Sequence, residues 1–178
     1  MFKKLLIPVL IIVFSSLIFI SCKRTYFYLE EEVLYNKRLK FNTKESYYRY
    51  GQQIILTGGG FRVDSGDDVL LYIKGETTVT GVGEPGIMTL EFREVARFYI
   101  SLTPPLGIGR YDTKYNAICE IINSHSYQSG ENLFTCQQGE VVVDSLKGDK
   151  IFGTISGEYL NTSNKRLSIE GDIKAKRD

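Results

Sequence analysis

Arg166-Leu167-Ser168-Ile169-Glu170-Gly171-Asp172-Ile173-Lys174-Ala175-Lys176 alternates without a break. Leu167, Ile169, Gly171, Ile173 and Ala175 take one set of positions, and charged or hydroxyl residues take the other. Successive side chains of a strand point to opposite faces, so this period of two gives one apolar wall and one charged wall. A helix would scatter the same residues around its circumference. The segment therefore covers a core on one side and meets water on the other, as strands of antiparallel sheets do.

Working back from this strand, the chain keeps the same rhythm. Asn161–Lys165 reads as a turn, Lys150–Leu160 as a long strand, Gly148-Asp149 as the centre of a second turn, and Glu140–Asp144 as another strand. Leu133–Gln137 and Ala117–Ile122 are β-like and flank a polar loop, Asn123–Asn132. Upstream, Pro104-Pro105 ends any strand, and a loop with Gly107 and Gly109 follows. Arg97–Leu102, Ile87–Phe92, Val69–Lys74, Phe61–Val63 and Gln52–Leu56 read as strands. They are separated by Gly81–Gly86, a polar turn at Asp64–Asp68, and Gly58-Gly59-Gly60. Leu29–Lys40 fits either a first strand or a helix. Short strands with frequent turns predict an all-β domain, an antiparallel β-sandwich or small β-barrel. The composition agrees, with 12 Tyr, 10 Phe and 17 Gly.

The first 21 residues differ from everything after them. Met1–Lys4 is basic, Leu5–Ile20 is almost wholly apolar, and Ser21 is small, which is the order of an export signal. Cys22 follows directly, and Phe19-Ile20-Ser21-Cys22 resembles a bacterial lipobox, with Phe19 where Leu is usual. The resemblance implies acyl chains on Cys22, cleavage before it, and attachment of the mature chain to a membrane. An ordinary signal peptide or an uncleaved anchor helix are the alternatives; the run is short for a spanning helix of about 20 residues. The expected organisation is a lipoprotein signal peptide at 1–21, a lipidated Cys and tether with a possible first strand at 22–46, and a β-rich domain at 47–178. Lys23 stands where some inner-membrane lipoproteins carry Asp, favouring the outer membrane.

Removing Lys3 and Lys4 with the leader leaves 20 basic against 21 acidic residues. A chain so close to neutral has no long-range field to gather phosphate backbones, so nucleic acid is not an expected partner. With Cys22 lipidated, Cys119 and Cys136 remain as an even pair outside the cytoplasm. They are expected to form a disulfide across the intervening loop, with two buried, reduced thiols as the alternative.

Chemistry is harder to find. His125 is the chain's one imidazole and lies between serines in a polar loop. Gly153-Thr154-Ile155-Ser156-Gly157 has the spacing of a nucleophile elbow, but Ser156 falls inside an alternating strand rather than on a sharp strand-to-helix turn. Glu91 with Glu94, and Glu158 with Glu170, are the carboxylate pairs to consider for glycoside hydrolysis. Asp64-Ser65-Gly66-Asp67-Asp68 clusters oxygens but lacks an EF-hand spacing. Asn161-Thr162-Ser163 fits a glycosylation pattern, although a hairpin turn explains it. No metal or other cofactor is expected, and no catalytic residue is assigned.

One further similarity concerns roughly the last 80 residues. Phe98-Tyr99-Ile100-Ser101-Leu102, Gly109-Arg110-Tyr111 and Gly139-Glu140-Val141-Val142-Val143 are arranged in a way that resembles small uncharacterised lipoproteins of the Bacteroidota. So are Phe152–Tyr159 and Ile169–Ile173. The resemblance implies a C-terminal antiparallel β-domain and carries no activity. The expectation is a non-enzymatic, membrane-anchored envelope lipoprotein that binds an envelope protein or a small apolar ligand, or serves as a structural module. An envelope hydrolase and a periplasmic inhibitor or immunity protein are the alternatives.

Overall fold

The computed structural model describes residues 25–31, 38–58, 60–81, 90–122 and 131–178. These form nine strands: β1 (Tyr26–Glu31), β2 (Leu39–Thr57), β3 (Gly60–Gly81), β4 (Leu90–Leu102), β5 (Gly109–Asp112), β6 (Ala117–Ile122), β7 (Leu133–Lys147), β8 (Lys150–Leu160) and β9 (Arg166–Arg177). The strand order is β5-β7-β6-β4-β3-β2-β1-β9-β8, and β8 also pairs with β7. The sheet thus closes on itself. The other eight strands form an up-and-down antiparallel barrel, and β5 pairs with the same edge of β7 as β6, further along it. Of the two architectures expected, this is the barrel.

The alternation of β9 is realised as a wall. Leu167, Ile169, Ile173 and Ala175 are buried, while Arg166, Glu170, Asp172, Lys174 and Lys176 are exposed. β8 pairs along its whole length with β9, from Lys150↔Lys176 to Leu160↔Arg166. Several expected pieces merge. Leu133–Gln137 and Glu140–Asp144 are one strand, β7, with a register shift between Cys136 and Gln138. Arg97–Leu102 continues back to Leu90 within β4. Gly109–Asp112, expected as loop, is β5. The helical option for Leu29–Lys40 fails where it is described: β1 reaches Glu31 and β2 starts at Leu39. Both belong to the barrel; β1 and the start of β2 fall in the stretch expected to hold the tether and a possible first strand.

Eight strands leave an interior just wide enough for side chains, and large ones fill it. Phe27 stacks on Phe41 at 5.1 Å between ring centroids and meets Phe98 edge-on at 4.9 Å; Phe98 meets Tyr159 at 6.1 Å. All four rings are essentially inaccessible. Phe27 fits because two inward positions carry no side chain. A Cβ on Gly75 would lie 2.3 Å from its Cε1, and one on Gly171 2.3 Å from its Cβ. The outer wall is rich in Lys, Arg, Asp and Glu. An apolar interior with a charged exterior is the reverse of a membrane-spanning barrel.

The β2–β3 hairpin is longer than the barrel needs, and it bends. Tyr50 pairs with Val69 but Gln52 pairs with Ser65, so Gly51 alone stands opposite Gly66–Asp68. Gly51 has a φ of 72°, a conformation that suits glycine. Asp64–Asp68, expected as a simple turn, forms the other side of this bend. The tip folds back on the outer wall: Ser101 Oγ accepts from the Ile54 amide at 2.9 Å, and Phe61 lies 4.6 Å from the Tyr99 ring. It covers a second apolar surface where Leu70, Tyr72 and Ile118 are buried although they point out of the barrel. Ser101→Ala is expected to leave the Ile54 amide without its acceptor, costing about 1–3 kcal/mol. The effect should be local, with faster amide exchange over residues 52–65 and unchanged exchange in β8 and β9; uniform acceleration would contradict this reading.

Candidate functional site

Of the groups nominated from sequence, Ser156, Glu158 and Glu170 come together on the outer wall; among the described residues the others do not join them. Cys22 and His125 lie outside the described residues, as does the side chain of Glu91. Glu94 points into the barrel and is buried. Asp64 pairs with Arg62 at 2.8 Å on the hairpin tip. No group of three or more His, Cys, Asp or Glu among the described residues is placed to hold a metal ion. The Asn161 side chain is committed to its turn. Its Oδ1 accepts from the amides of Ser163 and Lys165 at 3.0 and 2.8 Å, and its Nδ2 donates to the Glu131 carbonyl at 2.9 Å.

The expected disulfide is corrected: Cys119 and Cys136 are free thiols, both fully buried. Register explains this. Cys119 lies opposite Phe134, so Cys136 sits two residues further along β7, on the same inward face. Cα atoms at such diagonal positions are about 7–8 Å apart, beyond the usual disulfide range of about 4.4–6.8 Å. The Cys136 thiol instead lies 3.5 Å from Thr113 Oγ1. Next to the thiols, the buried Tyr159 hydroxyl has no hydrogen-bond partner of good geometry among the described residues.

Burial pushes the Cys119 thiol and the Tyr159 phenol well up, and raises Cys136 as well; the neighbouring thiols raise Tyr159 further. Tyr72, under the hairpin tip, is pushed up to about 12 mainly by burial. The folded chain therefore holds these protons to higher pH than the unfolded chain does. Stability is expected to be intact below the ordinary thiol value of 9.0 and to fall as pH rises through the ordinary phenol value of 10.0 towards 12. Tyrosinate absorbance and denaturant midpoints measured together check this. A midpoint that stays constant beyond pH 10 would contradict it.

The outer wall carries a more open site. A shallow concavity of about 540 Å³ crosses β7, β8 and β9, lined by Gln138, Glu140, Ser156, Glu158, Ser168 and Glu170, with Gly139, Gly157 and Ile169 in its floor. Pairing aligns it in rows. Glu140 lies opposite Ser156, which lies opposite Glu170; beside that row, Glu158 lies opposite Ser168. Arginines frame both sides. Arg110 Nη1 donates to both oxygens of Glu140 at 3.1 and 2.9 Å. Arg38 binds Glu170 and reaches Glu30 at 3.2 Å. Glu158 forms no ion pair among the described residues, and Arg166 lies along the same face.

No protein-family model, curated protein or solved structure matches this chain. The site is therefore read from its own groups. Glu158 and Glu170, paired in the sequence reading as hydrolytic candidates, stand diagonally on the outside of a barrel, and Glu170 is already bound to Arg38. Ser156 sits mid-strand between two arginine-bound carboxylates rather than on the strained turn of a serine hydrolase. Hydroxyls, a carboxamide and one unpaired carboxylate make a hydrogen-bonding surface suited to a polar partner. Sequence reasoning named Ser156, Glu158 and Glu170 but did not join them to Gln138, Glu140 and Ser168, because alternation tells which residues face outward but not which of them are neighbours; only the strand register does that.

Proposed function

We propose that this chain is a lipid-anchored envelope protein whose barrel acts as a non-enzymatic binding module through its outer wall. The reading takes Cys22 as the acylated residue and places the protein on the outer membrane, with an envelope protein as partner. The observation that carries it is the filled interior. The rings that would line a pocket for an apolar ligand, Phe27, Phe41, Phe98 and Tyr159, are packed against one another. That packing favours recognition on the outside over an apolar ligand held between these rings, and the outside is where the arginine-framed concavity lies.

A photo-crosslinking residue at position 156 tests it in intact cells, with position 62 on the hairpin tip as the comparison. The expected result is one discrete adduct from position 156, absent from position 62 and abolished by Glu158→Arg. The same adducts from both positions, or an adduct indifferent to Glu158→Arg, would remove the groove from the proposal.

A further inference from the structure

Resting on the anchor reading above, we infer that the barrel end formed by the β7–β8 turn and the end of β9 lies against an anionic phospholipid surface. The first argument is covalent reach. The chain enters the structure at Thr25, whose carbonyl accepts from the Thr43 amide at 3.0 Å and from the Thr43 hydroxyl at 2.7 Å. The β1–β9 register, Phe27 to Gly171, puts this entry point beside Asp172 and Lys174. Cys22 is three residues earlier, so an acylated Cys22 holds Thr25 within about 11 Å of the bilayer surface. That is close to one Debye length, about 8 Å at physiological salt.

The second argument is where the barrel keeps its uncompensated positive charge. Around most of the wall cations face carboxylates: Arg38 with Glu30 and Glu170, Lys74 with Glu45, Arg97 with Glu120, Arg110 with Glu140, Lys165 with Glu131. Near the entry point the pattern changes. Lys150 lies directly opposite Lys176, Lys147 opposite Lys150, and Arg177 beside Tyr48. Of these, Lys176 reaches Asp149 at 3.5 Å. Lys147, Lys150, Lys174 and Arg177 form no ion pair among the described residues, although Asp172 stands in the same row as Lys174 and Asp178, next to Arg177, pairs with Arg49. Like charges placed opposite each other destabilise a sheet, and a polyanionic surface relieves them. Apolar groups accompany the cations. Tyr50 is 50% exposed beneath the Arg177 guanidinium, 5.0 Å from its ring, and Leu146 is 43% exposed. Cations interleaved with an exposed Tyr and Leu suit the headgroup layer, where basic residues bind anionic lipid and amphipathic side chains insert. One acyl attachment with a basic patch then fixes the orientation of the barrel as well as its location.

Amine-reactive footprinting read by mass spectrometry tests this on the full protein purified from cells. It is mixed with vesicles of phosphatidylcholine alone or of phosphatidylcholine with phosphatidylglycerol. Expected with the anionic vesicles is labelling of Lys150, Lys174 and Lys176 slowed by about threefold or more, reversed by high salt, with Lys114 and Lys165 unchanged. Lys150→Glu with Lys174→Glu, both at exposed positions, should abolish the slowing at Lys176. Acyl chains on Cys22 are read by mass in the same sample. Acylated protein whose Lys150, Lys174 and Lys176 label at the same rate with both kinds of vesicle overturns the docking and leaves the anchor standing. Unacylated protein with those lysines shielded overturns the anchor and leaves the docking standing.

Discussion

Phe27→Ala is expected to lower the unfolding free energy by about 3–5 kcal/mol, the usual cost of truncating a fully buried Phe. Domains of this kind have about 5–15 kcal/mol in total, so the variant should stand near the threshold of folding. The ring is the hub of the interior, stacked on Phe41 and edge-on to Phe98, and it occupies the space left over Gly75. That geometry gives a second, more discriminating expectation. In wild type, Gly75→Ala drives a methyl into the Phe27 ring at 2.3 to 2.5 Å. In the Phe27→Ala background the two closest contacts are gone, and the methyl has only the Phe41 Cβ, at 2.9 Å, to avoid as it enters the cavity. The two substitutions should therefore be strongly non-additive, the double variant being more stable than the sum of the singles implies, by about 1 kcal/mol or more. Additive effects in chemical denaturation would mean that Phe27 and Gly75 do not share this space.

Gly171→Val should be at least as damaging, and Phe27→Ala should not rescue it. A Cβ at Gly171 would lie 2.4 Å from the Cα of Phe27 and 2.8 Å from the Tyr26 carbonyl oxygen. These are backbone atoms of the neighbouring strand, so relief requires β1 and β9 to move apart. Overpacking that side chains can absorb costs about 1–3 kcal/mol; a clash with paired backbone exceeds it, and loss of the folded barrel is the expected result. Circular dichroism and soluble yield report it. A folded Gly171→Val protein with a wild-type denaturation midpoint would mean that the β1–β9 closure described here is wrong.

Much of the barrel could be read from residues whose signal is strictly periodic. Lys150–Leu160 and Ala117–Ile122 are bounded as expected, and β9 extends the alternating stretch by one residue, to Arg177. Reading failed where the period breaks. The shift between Cys136 and Gln138 cut β7 in two, because a bulge inverts the alternation on either side of it. β5 is only four residues long and has no fully buried residue, so neither length nor burial marked it. The hairpin tip left a clue. Val69-Leu70-Leu71-Tyr72-Ile73 is apolar without alternation, the pattern of a strand covered on both faces, and the tip is the second cover. The thiols were correctly read as lying in neighbouring β segments, but a disulfide depends on register, which sequence spacing does not supply. The groove is hidden for the same reason: Glu140, Ser156 and Glu170 become neighbours only through two successive strand pairings.

The lipid on Cys22 carries the rest of the functional account, since the partner surface and the membrane-facing end both follow from where the barrel is held. Mass spectrometry of the N-terminal peptide from protein isolated from cell envelopes tests it most directly. The account predicts a mature chain that begins at Cys22, with acyl groups on that residue, and a Cys22→Ala protein that carries none. An unmodified N-terminus, or a chain that retains residues 1–21, would contradict it.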